Sequence, residues 1–303
     1  MTVLAATMLV LVVGCERGKT RTRTDTSIVQ PERGATAASA APPRSSWNQS
    51  AGYALLVQGD SREEAIVLFP AEGDSAVAAH IRALQDPRAK VTLFGRGGQQ
   101  LSATLGTLPG TSDAECRAWP LTGIQGESSG TAWAVGFVGG QASSLALDSV
   151  DVLTSRDSMA LAAEASRLAS AVTASTAPAF LGLRFTAHDI RRFEASLGVQ
   201  AIVAHVIRKV NQEASPQEEQ TLLIAERDSG VTVGPYRLVY ADRTHGLEEE
   251  LATPEVIAGV RIAGRPTLIV ARDSDDGVAY VMLERQGPGQ WRVRWTSAMT
   301  RCG

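Results

Sequence analysis

From Val199 to the C-terminus the chain reads as strand after strand. Seven runs rich in β-branched and aromatic residues, Val199 to Val210, Thr221 to Glu226, Tyr236 to Ala241, Val256 to Ile262, Thr267 to Ala271, Val278 to Glu284 and Gln290 to Thr296, alternate with turn residues. Gly264, Asp276-Gly277 and Gly287-Pro288-Gly289 sit where a hairpin needs positive φ or a fixed bend. Short connections make neighbouring strands antiparallel. In the last run Trp291, Val293 and Trp295 point one way and Gln290, Arg292, Arg294 and Thr296 the other, which predicts one core face and one wet face. Residues 179–303 are therefore expected to form an antiparallel meander that closes as a sandwich or a barrel, with no repeat that suggests a propeller.

A second β-rich half, a small sheet or barrel, is predicted over residues 47–150. Its runs are Tyr53 to Gln58, Ala65 to Phe69, Val91 to Phe94, Leu101 to Leu105, Ala132 to Val138 and Ser144 to Leu147. One helix interrupts them at Ser75 to Gln85, where Asp74 can cap, Val77, Ile81 and Leu84 share a face and Pro87 stops it. A longer helix is predicted at Ser155 to Val172. Thr154 and Asp157 have capping-box spacing, and Leu161, Ala165, Leu168 and Val172 form one stripe expected to pack between or against the halves. Residues 151–178 thus hold a helix and a connection, and the fold class is α+β, mainly antiparallel β. The formal net charge of -3 argues against a nucleic-acid partner, and an aromatic content of 5% argues against a base- or sugar-stacking surface.

The first residues set an address rather than a fold. Val3 to Gly14 is an apolar run of twelve, short of the roughly 20 residues a membrane-spanning helix needs, and so reads as the core of a signal peptide. It closes on Val12-Val13-Gly14-Cys15, which resembles the lipobox of bacterial lipoproteins, although Met1-Thr2-Val3 carries none of the basic residues usual there. The resemblance covers about fifteen residues. It implies removal of residues 1–14, acylation of Cys15 on its thiol and amino group, and stable anchoring through two or more chains. Glu16 is not the aspartate that retains some lipoproteins at the inner membrane, so the outer membrane is the expected site.

Residues 15–46 lack large apolar side chains and are predicted to be a disordered tether. Arg17, Lys19, Arg21, Arg23, Arg33 and Arg44 against Glu16, Asp25 and Glu32 give it +3, which leaves -6 for the body from Trp47 onward. A basic tether beside a lipidated cysteine can lie on anionic lipid or serve as a solvated spacer.

Motifs for chemistry are weak. Gly126-Glu127-Ser128-Ser129-Gly130 fits G-x-S-x-G, but a nucleophile elbow needs a helix after the serine, and Thr131 to Val138 reads as strand. The same segment resembles the G-D-S-G-G of trypsin-like serine proteases, and Val77-Ala78-Ala79-His80-Ile81 resembles their A-A-H. Only 48 residues separate His80 from Ser128, too few for that family. A Ser128, His80, Asp113 triad is the alternative this leaves open, and a flexible Gly/Ser loop is the plainer one. His80, His188, His205 and His245 show no metal-ligand spacing, and His205, between Val203 and Ile207, reads as a hydrogen-bonded core histidine. Asp273-Ser274-Asp275-Asp276-Gly277 with Glu284 has its glycine one place early for a calcium loop and reads as a hairpin turn. His245 to Glu250 reads as an acidic loop or helix start. Gly95-Arg96-Gly97-Gly98 lacks the lysine of a phosphate loop. Arg272, Asp273, Glu284, Arg285, Arg292 and Arg294 read as cross-strand pairs on a solvated face. No cofactor and no metal is indicated.

The residues point to a lipid-anchored envelope protein whose body is a non-enzymatic binding or structural module with an envelope protein as partner. The alternatives are a periplasmic or surface serine hydrolase using Ser128 and His80, and a small-ligand carrier with a cavity inside a C-terminal barrel. In the oxidising envelope, Cys116 and Cys302 remain once Cys15 is acylated. A bridge would close a loop of 187 residues, counted from Cys116 to Cys302, and add up to roughly 5 kcal/mol. Non-reducing peptide mapping of the exported protein is expected to recover the two cysteines in one linked peptide; free alkylatable thiols at both positions would refute the bridge.

Overall fold

A computed structural model describes residues 47–70, 84, 89–106, 120–126, 132–172, 177–210, 216–229, 234–275 and 277–299. Six strands make a closed barrel: β1 (Ala54–Gln58), β2 (Glu64–Leu68), β3 (Lys90–Phe94), β4 (Gln100–Leu105), β5 (Leu121–Gln125) and β6 (Val135–Val138). Their order around the wall is β1-β2-β5-β4-β3-β6, and β6 returns to β1. Alternate residues divide between two cores. Leu56, Val67, Leu93, Ile124 and Trp133 fill the barrel, while Leu55, Leu68, Phe94, Val135 and Phe137 face outward into a second apolar layer. Strands such as Ala-Leu-Leu-Val are apolar throughout because both faces are buried. Gly136 faces the packed interior, where a Cβ would meet Leu93 Cδ2 at 2.6 Å.

Two five-stranded antiparallel sheets follow. Short strands β7 (Ala142–Ser144) and β8 (Asp148–Ser149) carry the chain from one sheet to the other. Helix α1 (Ser155–Ser170) then precedes β9 (Thr186–Ser196), β10 (Val199–Val210), β11 (Gln217–Asp228) and β12 (Arg237–Leu247). The chain ends with β13 (Thr253–Ile262), β14 (Arg265–Ser274), β15 (Gly277–Gly287) and β16 (Gln290–Thr296). The sheets run β12-β11-β10-β9-β8 and β16-β15-β14-β13-β7. Of the two closures considered for the C-terminal strands they adopt the sandwich, and the closed barrel belongs to the N-terminal half. At the β13–β14 hairpin Ala263 and Gly264 both have positive φ, 50° and 76°, the conformation of a type I′ turn whose twist matches the strands.

The layers stack as barrel, β13-containing sheet, β10-containing sheet and helix. Val256, Leu268, Val270, Val281 and Leu283 meet Phe193, Val203, Leu222 and Ile224 between the sheets. On the other face of the same sheet Ile257, Ile269, Tyr280, Met282 and Trp295 meet the outer side chains of the barrel. Helix α1 lies on the far sheet, where Ala165, Leu168 and Ala169 pack on Ile190, Ile202, Ala204 and Leu223; it covers an outer face and does not sit between the halves. The predicted cap is present: Thr154 Oγ1 accepts from the Asp157 amide at 3.2 Å and donates to Asp157 Oδ2 at 2.9 Å. At the other end Arg243 donates to the Ala169 carbonyl, placing a cation where the helix dipole is negative. Among the described residues no helix is long and apolar enough to cross a membrane.

An ionic group centred on Glu226 links the two sheets. Glu226 of β11 accepts from Arg285 of β15 through both oxygens, at 2.7 and 2.9 Å, and from Trp291 Nε1 at 2.7 Å and the Gly289 amide at 3.2 Å. Desolvation pushes the Glu226 carboxyl up, but the bonds from Arg285 and Trp291, the Arg285 charge and the Gly289 amide together outweigh it and hold it below the usual range. Glu226→Leu leaves Arg285 charged and buried without its acceptor. It is expected to cost about 3–5 kcal/mol in urea unfolding, whereas Asp228→Asn, which breaks the exposed pair with Arg237, costs under about 0.5 kcal/mol. Because the folded value lies below the unfolded 4.5, the stability from Glu226 is present above that pH and is lost as pH falls through the folded value. Equal losses in the two variants would show that the link contributes no more than a surface pair.

Candidate functional site: a cleft between barrel and sandwich

The barrel covers only part of the sheet it rests on. At the end nearest the β14–β15 turn the sheet continues past it, and an open cleft of about 730 Å³ lies between them. The floor is a patch of three neighbouring strands: Glu255 and Ile257 from β13, Ala271 and Asp273 from β14, Val278 and Tyr280 from β15. Register explains the grouping, since Glu255 pairs with Ala271, Ala271 with Tyr280 and Asp273 with Val278. Residues on one face of neighbouring strands present one surface. The walls come from the barrel: the end of β1 at Val57 and Gln58, the β3–β4 turn at Arg96, Gly97 and Gln99, and the segment 132–134 with Trp133.

The glycine-rich turn that sequence separated from phosphate loops positions one of these walls. Gly98 has φ 86° and its amide donates to the Gly95 carbonyl at 3.0 Å; a Cβ there would stand 2.8 Å from Ala146 Cα. The turn therefore packs directly on the chain leading from β7. Held that way, Arg96 reaches across the cleft to form an ion pair with Glu255. Trp133 is buried, and its Nε1 donates to the Arg62 carbonyl at 2.8 Å. Burial, followed by the charge of Asp273, raises the Tyr280 hydroxyl above its ordinary value, so the phenol stays protonated through the neutral range. Asp273 itself is exposed at the end of the floor.

A second polar group, under the helix, is structural. Arg208 donates to Glu219 Oε1 at 2.8 Å and to the Leu183 carbonyl at 3.2 Å, with its guanidinium 4.5 Å from the Phe185 ring centre. Arg243 shares the same carboxylate at 3.4 Å. The donors are turned to protein acceptors and brace the helix against the sheet.

Cys15, His80, Asp113, Cys116, Ser128 and Cys302 lie outside the described residues, as do the helix expected at residues 75–85, apart from Leu84, and residues 15–46, where a lipidated tether is expected. Gly126 follows β5 with φ 123°, and the next described strand is β6. His205 is buried, with Nε2 donating to Gln220 Oε1 at 3.2 Å and the His188 ring 5.4 Å away. Among the described residues no group of three or more His, Cys, Asp or Glu is placed to hold a metal ion. Asp273 and Glu284, the ends of the calcium-like run, pair with Val278 and Thr267 at opposite ends of one hairpin. His245 belongs to β12, and Glu248–Glu250 forms a single turn after it. The charged ladder is split by strand alternation. Arg272 and Arg285 turn toward the other sheet, to Asp242 and Glu226, while Glu284 is buried on the opposite face and accepts from Arg265 at 3.1 Å.

Burial lowers the His205 pKa, the charge of His188 adds to this, and the Gln220 bond and the Glu218 and Asp189 charges only partly oppose it. A lowered folded value means that the unfolded chain takes up the proton first. Stability is then expected to fall as pH drops below 6.5 and to level off once the folded ring titrates. His205→Gln should flatten unfolding free energy between about pH 7.5 and 5.5; an unchanged slope would remove His205 as its source.

Comparison with protein-family models, with curated proteins and with solved structures found no match to this chain.

Proposed function

We propose that the protein is a lipid-anchored component of the bacterial cell envelope whose folded body binds a partner in the cleft between barrel and sandwich and catalyses no reaction. The observation that carries the binding role is the cleft. At about 730 Å³ it falls within the size of small-molecule and peptide-side-chain sites, and its apolar floor is edged by a few polar groups, Gln58, Gln99, Arg96, Glu255 and Asp273. The interior of the N-terminal barrel is filled by Leu56, Val67, Leu93, Ile124 and Trp133, so the cleft outside it is the proposed site. The location rests on Val12-Val13-Gly14-Cys15 and the apolar run before it. Lipid on Cys15 would hold the body at the membrane, with residues 16–46 between the anchor and the cleft-bearing domain.

Expression of the full chain in a bacterial host, followed by mass spectrometry of its N-terminal peptide, tests the anchor. The expected product begins at Cys15 and carries two or three acyl chains, and Cys15→Ala yields an unacylated chain that leaves the membrane fraction. An intact Met1 in the wild-type chain would overturn the envelope location.

A further inference from the structure

From the charge and lining of the cleft we infer that its ligand has an apolar, planar body and one cationic group, with the cation set against the carboxylate of Asp273. This rests on the cleft being the binding site and adds the chemistry of what it takes. Two carboxylates line the floor. Glu255 is committed to Arg96, which reaches over from the barrel. Asp273 stands two residues along β14 from Ala271, facing the cleft beside Val278, and makes no hydrogen bond or ion pair among the described residues. A carboxylate with no internal partner leaves a negative potential at that end of the recess, and low-dielectric walls strengthen it relative to an open surface.

The rest of the lining suits a flat apolar body. Ile257 and Val278 supply aliphatic floor, and only the edges of the largely buried Tyr280 and Trp133 rings show at floor and wall. Aromatic rings beside a carboxylate favour a cation over a neutral group, since both the quadrupole and the charge attract it. The volume of about 730 Å³ accommodates a two-ring body with a short arm. The body of the chain carries -6 from Trp47 onward, which also disfavours an anion.

Three probes of one shape and different charge make the test: tryptamine, 3-ethylindole and indole-3-propionate. Each is titrated into the purified full chain labelled with ¹⁵N-tryptophan, and binding is read from the indole N–H resonance of Trp133. Tryptamine is expected to bind about threefold to tenfold more tightly than 3-ethylindole, with indole-3-propionate weakest. Asp273→Asn should erase the advantage of tryptamine, and Arg96→Gln, which releases Glu255, should increase it. Both positions are exposed, so neither substitution threatens the fold. Equal binding of the three probes, or an advantage for tryptamine that survives in Asp273→Asn, would overturn the cationic ligand while leaving the cleft as the site. No shift at Trp133 with any probe at millimolar concentration would overturn the cleft itself.

Discussion

The sheet built from β13 to β16 is buried on both faces, and every other layer is attached to it directly or through one neighbour. Ile269 and Leu268, adjacent in β14, point into different cores, one shared with the barrel and one with the second sheet. Each fully buried aliphatic side chain of this kind is worth roughly 1.5–3 kcal/mol against exposure. The strand that carries both therefore supports two interfaces at once. The cleft follows from the same arrangement. Ile269 and Met282 pack in the core shared with the barrel, while Ala271, Asp273 and Val278 line the open cleft beside it.

Apolar layers attract without direction, and the buried ionic groups supply direction. Glu226 ties β11 to the β15–β16 hairpin through four donors, and Arg272 of β14 reaches Asp242 of β12 across the same gap. A sheet docked one residue out of place would strand these charges away from water, which costs several kcal/mol. Under the helix, Glu219 pairs with Arg208 and Arg243 of the two neighbouring strands, and Arg243 reaches on to the Ala169 carbonyl of the helix. The polar interior of this protein is thus mostly spoken for by its own layers. Of the two carboxylates on the cleft floor, one is bridged to the barrel and one faces solvent.

Much of the secondary structure was legible. Strands β10 and β16 begin and end where periodicity placed them, and the Thr154 cap and the α1 stripe are present. Three strands escaped: β5, β9 and the two-residue β8. β9 reads Thr-Ala-His-Asp-Ile-Arg-Arg-Phe-Glu-Ala-Ser, and its alternation is broken where register slips opposite His205 and Val206, so the pattern looks polar and aperiodic. β5 contains Gly123 and follows Pro120, residue types that mark turns more than strands. Strands β7 and β8 come before the helix in the chain and yet belong to the two later sheets, because strand pairing is settled by available edges and not by order along the chain. The cleft was not legible. Arg96 and Glu255 stand 159 residues apart, and the turn holding Arg96 looked only like a phosphate loop that lacked its lysine.

By itself the sequence determined an antiparallel β protein with a capped helix, and it carries a lipobox-like tetrapeptide, since each of these depends on residues within a window of about twenty. Only the tertiary structure decided that the N-terminal strands close into a barrel, that the C-terminal strands split into two packed sheets, and that a cleft with Asp273 on its floor opens where barrel and sheet part. Those features depend on which apolar faces are left to bury against each other after every strand has formed, and no local window contains both partners.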